Sequence, residues 1–108
     1  MTTKVLDFIN GQWTDAHAGD VLDVINPAQG SAIAEVVMTP KDAVADAVQA
    51  GHNAYREWRM TPVLDRIQYM FKLKMLLEEH LDDIAKIITN ECGKTYKESI
   101  GEMRRGIE

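Results

Sequence analysis

The sequence predicts an α/β chain that is mostly helical, with a β-ribbon or hairpin region over residues 1–38 and three amphipathic helices over 39–60, 61–92 and 94–108. Three observations carry this. The turn pairs Asn10-Gly11 and Asn26-Pro27 fall in the first third of the chain, among clustered β-branched and aromatic residues. From Val44 onward, apolar residues recur every three or four positions, which is the helical period. Thr39-Pro40 and Thr61-Pro62 then divide that periodic stretch. A proline fits only the start of a helix and drives the residue before it out of helical conformation.

The elements follow in order. Phe8-Ile9-Asn10-Gly11-Gln12-Trp13 sets Asn-Gly between short apolar runs, a hairpin signal because both residues tolerate positive φ. Val21-Leu22-Asp23-Val24-Ile25 is a β-branched run that stops at Asn26-Pro27, and Gly30 completes a turn. Residues 31–38 return as a strand through Ile33, Val36 and Val37, although Ala34 and Glu35 are weak strand formers. Two hairpins, or one hairpin and a ribbon, fit this block equally. A lone ribbon is marginal in water, so the block must lean on something.

The first helix opens with Thr39 as a cap, Pro40 in the first position and Asp42 near the positive dipole end. Its stripe is Val44, Ala47, Val48, Gly51, Ala54, Tyr55 and Trp58. The second stripe is Ile67, Met70, Leu73, Leu77, Leu81, Ile84 and Ile88, closing at Gly93 as a left-handed stop. A straight helix from Val63 to Cys92 is about 43 Å long. A globule of this chain length is only about 34 Å across. The helix therefore bends around Glu79–Asp83 or lies across a larger body. The third helix starts with a capping box, Thr95 and Glu98, and lines Tyr96, Ile100, Met103 and Ile107 on one face. Arg104-Arg105-Gly106 reads equally as a natural helix end or as a helix cut in mid-run.

A chain of 108 residues allows one domain at most, with one core. One cysteine rules out an internal disulfide, which suits a reducing compartment and leads us to expect a cytoplasmic protein. The net charge of −5 argues against nucleic acid and anionic membrane as partners. The chain has no apolar run of membrane-spanning length and no signal-peptide core at MTTKVLDFING. His17, His52 and His80 lack ligand spacing with each other or with Cys92, so no metal site is expected.

Catalytic motifs are sparse. Cys92 stands near the C-terminus of a helix, the wrong end of the dipole for an activated thiolate. Gly93-Lys94-Thr95 has the tail of a phosphate loop, but Ile88 occupies the position where the loop requires glycine. No G-x-G-x-x-G dinucleotide fingerprint occurs. Glu78-Glu79 and Asp82-Asp83 read as a solvated acidic stretch, the methionines as core fillers, and Trp13 and Trp58 as packing anchors. Arg105 is the most informative residue. It lies roughly 170° from the apolar stripe of its helix, with Arg104 on the stripe's flank. The common case is an exposed arginine that binds nothing. The other is a guanidinium free to clamp a carboxylate.

Together, Phe8-Ile9-Asn10-Gly11-Gln12-Trp13, Val24-Ile25-Asn26-Pro27-Ala28 and Thr89-Asn90-Glu91-Cys92-Gly93-Lys94-Thr95 resemble the opening of the aldehyde dehydrogenase superfamily. The final Gly101-Glu102-Met103-Arg104-Arg105-Gly106-Ile107-Glu108 is similar to the G-E-x-x-R-G-I-E segment of the CoA-acylating methylmalonate-semialdehyde dehydrogenases. The resemblance implies that this single domain, residues 1–108, is a partial one, the N-terminal part of an NAD-dependent oxidoreductase. In that family a cysteine attacks the aldehyde, NAD takes the hydride and CoA takes the acyl group. It implies a substrate-binding role for Arg105, on the substrate carboxylate. It assigns no role to Cys92, and the family's nucleophilic cysteine and cofactor glycines match nothing in this chain. The chain by itself is thus expected to bind no cofactor and to be inactive. A second expectation, from a different class, is a small helical association module that forms homo-oligomers through exposed apolar faces.

Overall fold

The computed structural model describes residues 3–14 and 20–108. Five strands, β1 (Thr3–Val5), β2 (Asp7–Ile9), β3 (Gln12–Thr14), β4 (Val21–Asn26) and β5 (Ser31–Val37), precede four helices. The helices are α1 (Lys41–Trp58), α2 (Val63–Glu79), α3 (Leu81–Cys92) and α4 (Tyr96–Ile107). The predicted architecture, a ribbon region followed by helices in a mostly helical chain, is the observed one. His17 lies outside the described residues.

The chain divides into two compact units. The first comprises Met1–Ile25 and Ala32–Thr61. The Asn10-Gly11 signal is realised there as the β2–β3 hairpin, with Asn10 at φ 52° and Gly11 at φ 77°. Phe8 pairs with Trp13 across the hairpin, and their rings lie 4.9 Å apart. β5 is the central strand of a three-stranded sheet in the order β1-β5-β4. β1 was not anticipated. Its three residues, Thr3 to Val5, align parallel with Ala34 to Val36, and so short a segment shows no alternation by which to recognise it. Ala34, Val37 and Ala43 form the buried apolar core here.

Thr39 does not cap α1 as expected. Its hydroxyl donates to the Asp7 carboxylate at 2.6 Å, and Pro40 stands at the N-cap with no side-chain hydrogen bond. The α1 stripe is left uncovered: Val44, Val48, Tyr55 and Trp58 are exposed. An apolar groove of about 410 Å³ runs between β2 and α1, lined by Phe8, Ile9, Val44, Ala47 and Val48.

The second unit holds Asn26–Ser31 and Pro62–Glu108. The long second stripe is broken, within the expected stretch, at His80 (φ −100°, ψ 13°). His80 both ends α2, through its N–H to the Leu76 carbonyl, and begins α3, by accepting from the Ile84 N–H. Charge favours the break. Glu78 and Glu79 sit at the negative dipole end of α2, while Asp82 and Asp83 sit at the positive end of α3. α3 and α4 pack closely around Ala85 and Ser99, both fully buried, with the Ser99 and Thr89 hydroxyls 2.9 Å apart. No residue of α2 is buried. Met60, Met70 and Met75, expected as core fillers, are exposed, as are Trp13 and Trp58. Their helices and hairpin present more apolar surface than this chain covers.

Candidate functional site

The segment Gly93–Thr95 positions the site. Gly93 takes φ 71° and ends α3, as its place in the sequence predicts. A Cβ on Gly93 would meet Pro27 Cγ at 2.9 Å, so glycine is needed for both backbone conformation and space. The two motifs N-P-A-x-G and G-K-T therefore touch each other. Within the first of them, Asn26 is buried and accepts the Ala28 N–H through its side chain at 2.9 Å. Thr95 then forms the predicted capping box. Its hydroxyl accepts from the Glu98 N–H at 3.3 Å and donates to the Glu98 carboxylate at 2.7 Å, and the Thr95 N–H donates to that carboxylate at 3.0 Å. These bonds hold the Glu98 carboxyl below its usual range, and the Lys94 charge adds to the effect.

This arrangement disposes of the phosphate-loop reading of Gly93-Lys94-Thr95. The anion at the N-terminus of α4 is the chain's own Glu98. Lys94 is committed as well, donating to Glu102 in an ion pair. The hydrogen bond to Glu102 holds the Lys94 ammonium above its usual range. The same bond, followed by the charges of Lys94 and Arg105, holds the Glu102 carboxyl below its own.

Lys94, Glu98, Gly101, Glu102 and Arg105 line one exposed cleft of about 350 Å³. Glu98, Glu102 and Arg105 follow one another by four and three residues, so they share a face of α4. Arg105 is exposed, opposite Ile100, Met103 and Ile107, which are half-buried. It has no ion-pair partner among the described residues. With Glu98 tied into the cap and Glu102 tied to Lys94, the cleft offers one uncommitted cation. A planar guanidinium so placed can take a carboxylate through two parallel hydrogen bonds.

The sequence pointed to Arg105 alone. Lys94, Glu98 and Glu102 were missed as its neighbours, although the four-and-three spacing of 98, 102 and 105 was there to be read. Tyr96, expected on the packing stripe, is exposed, and its hydroxyl donates to Asp82 at 2.7 Å. That bond, together with partial desolvation, raises the phenol above its usual range. Cys92 is an exposed free thiol, and His52 and His80 are exposed. Among the described residues no group of three histidine, cysteine or acidic side chains is placed to hold a metal, and no helix is long and apolar enough to cross a membrane.

The G-x-G-x-x-G dinucleotide fingerprint places a glycine turn between strand and helix. The β5–α1 junction, residues 38–40, contains no glycine, and Pro40 contributes no N–H, so these residues do not match that fingerprint.

The chain belongs to the aldehyde dehydrogenase family, whose sequence profile matches residues 13–108. The malonate-semialdehyde dehydrogenase of Bacillus cytotoxicus is 45% identical over 105 residues, which make up 97% of this chain and 22% of that protein. Malonate-semialdehyde dehydrogenase 1 of Geobacillus kaustophilus is 40% identical, over 99% of this chain and 22% of its own. A Sinorhizobium meliloti protein assigned as a methylmalonate-semialdehyde dehydrogenase, and crystallised with NAD, superposes with a TM-score of 0.93 at 27% identity. That match covers 99% of this chain and 22% of the other. The Bartonella henselae aldehyde dehydrogenase superposes equally well at 26% identity, over 99% of this chain and 23% of its own. The chain thus spans about a fifth of the length of these relatives.

Proposed function

We propose that this chain forms the N-terminal part of an NAD-dependent aldehyde dehydrogenase that converts malonate or methylmalonate semialdehyde to an acyl-CoA. In that enzyme Arg105 holds the substrate's carboxylate. When bound, NAD accepts the hydride and CoA the acyl group. This chain's contribution is to bind and orient. The observation that carries the reading is the uncommitted guanidinium of Arg105, in a cleft whose other charges are already paired. The 45% identity to a malonate-semialdehyde dehydrogenase supports the substrate class.

The test joins this chain to the remaining part of the Bacillus cytotoxicus enzyme. Arg105→Leu should lower kcat/KM for malonate semialdehyde by roughly 10- to 100-fold, the worth of a charge-assisted hydrogen bond. Propanal has no carboxylate and should be used as before. Equal losses on both aldehydes would remove Arg105 from substrate recognition. The isolated chain, given malonate semialdehyde, NAD and CoA, should form no NADH.

A second reading, homo-oligomerisation as an association module, is favoured by the exposed Val44, Val48 and Tyr55 on α1. Sedimentation of the isolated chain at micromolar concentration tests it, and a monomer counts against it.

A further inference from the structure

Glu102 stands where a helix pairs opposite charges. Arg105 follows it by three residues, a spacing at which a carboxylate and a guanidinium on one helix face come within reach of each other. Both line the cleft beside Gly101, where a Cβ would meet nothing within 4 Å. Yet among the described residues no ion pair joins the two. Glu102 instead accepts from Lys94, which lies in the turn between α3 and α4. The Lys94 hydrogen bond and charge hold the Glu102 carboxyl low, and the Arg105 charge adds to them. The guanidinium is thus near enough to act on this carboxylate without pairing with it. The other acidic neighbours of Arg105 along α4 are engaged elsewhere. Glu98 is held by Thr95, and Glu108 lines a different cleft with Arg104.

We infer that Lys94 is a positioning residue for substrate recognition: by holding Glu102 it keeps that carboxylate off Arg105 and leaves the guanidinium to the substrate's own carboxylate. This rests on the reading of Arg105 as the residue that binds the substrate. Glu102 is fixed on the same helix as Arg105, so once released it competes intramolecularly with an aldehyde that must arrive from solution. Charge balance acts in the same direction. Lys94 and Arg105 offset Glu98 and Glu102, and without Lys94 the cleft carries a net negative charge that opposes an anionic substrate. With both cations near, Glu102 takes Lys94, so its contact with Arg105 is the weaker one. Its carboxyl therefore still rises toward the ordinary range when Lys94 is lost.

The experiment uses the chain joined to the remainder of the Bacillus cytotoxicus enzyme, with malonate semialdehyde and propanal as paired substrates. Lys94→Met should raise KM for malonate semialdehyde about 3- to 10-fold, the effect of one charge a few ångströms away at a wet surface. Its kcat, and both constants for propanal, should stay as they were. Lys94→Arg keeps the cation and should match the unsubstituted protein. Glu102→Gln alone should not raise KM, and combined with Lys94→Met it should restore KM. An unchanged KM in Lys94→Met, or equal rises on both aldehydes, would overturn the inference. So would a double variant no better than Lys94→Met, since Lys94 would then act on the substrate directly, or a Glu102→Gln variant that raises KM by itself. Arg105→Leu in the same series separates the two readings. If its loss is confined to malonate semialdehyde while Lys94→Met does nothing, the role of Lys94 alone falls. If its loss is equal on both aldehydes, substrate binding by Arg105 falls and the role of Lys94 with it.

Discussion

At the scale of single residues, Gly93 is the most constrained position. It needs both a left-handed backbone and room for Pro27. Gly93→Ala should therefore destabilise the chain by about 1–3 kcal/mol in urea unfolding, combining backbone strain with a forced shift of the proline ring. The Lys94–Glu102 pair makes a separate prediction. Glu102's folded pKa is depressed, so its contribution is present above the ordinary carboxyl value of 4.5 and is lost as pH falls through the folded value. The pKa of Lys94 is raised, so its side of the pair persists below 10.5 and is lost as pH climbs through the folded value. Carbon NMR titration should find the Glu102 and Glu98 carboxyls both titrating below 4.5. Lys94→Ala should return Glu102 toward 4.5 and leave Glu98 low through its bonds to Thr95. A Glu102 midpoint that does not move would mean the ion pair is absent in solution.

At the scale of elements, the capping box is the best-defined start of any helix in the chain. Thr95→Ala should cost about 1 kcal/mol and speed amide hydrogen exchange in the first turn of α4 before it does so in α3. Elements with local signals were legible in the sequence. These include the Asn10-Gly11 hairpin, the Gly93 stop, the Thr95 box and the bend near His80, because each is set by a few adjacent residues. What needed distant partners was not legible. β1 exists only through its alignment with β5. Thr39 has a capping residue's identity, but Asp7, far away in sequence, takes its hydroxyl. Ser99 gave no sign of being buried, because its place depends on how closely α3 and α4 approach. In the site, helical geometry was enough to free Arg105 from the packing face. It was not enough to show that Lys94 reaches Glu102 across the turn.

At the scale of the whole molecule, periodicity located the apolar stripes correctly but not what covers them. Val48, Met70 and Leu73 have the spacing of core residues and the exposure of surface ones. The isolated chain should accordingly bind a hydrophobic fluorescent dye in its native state. Its urea m-value should fall near the low end of the usual range of about 1–3 kcal/mol/M, since little additional apolar surface is exposed on unfolding. A dye-silent chain with a high m-value would mean that these side chains find cover within the 108 residues.

The approach of Pro27 to Gly93 also sets an order of events during translation. The Asn26–Gly30 turn leaves the ribosome early, with its own Asn26 hydrogen bonds ready to form. The glycine that seats it arrives only after α1, α2 and the whole of α3 have been synthesised. A nascent chain stalled before Gly93 carries a formed turn with no seat, and its completion waits on residues that emerge much later.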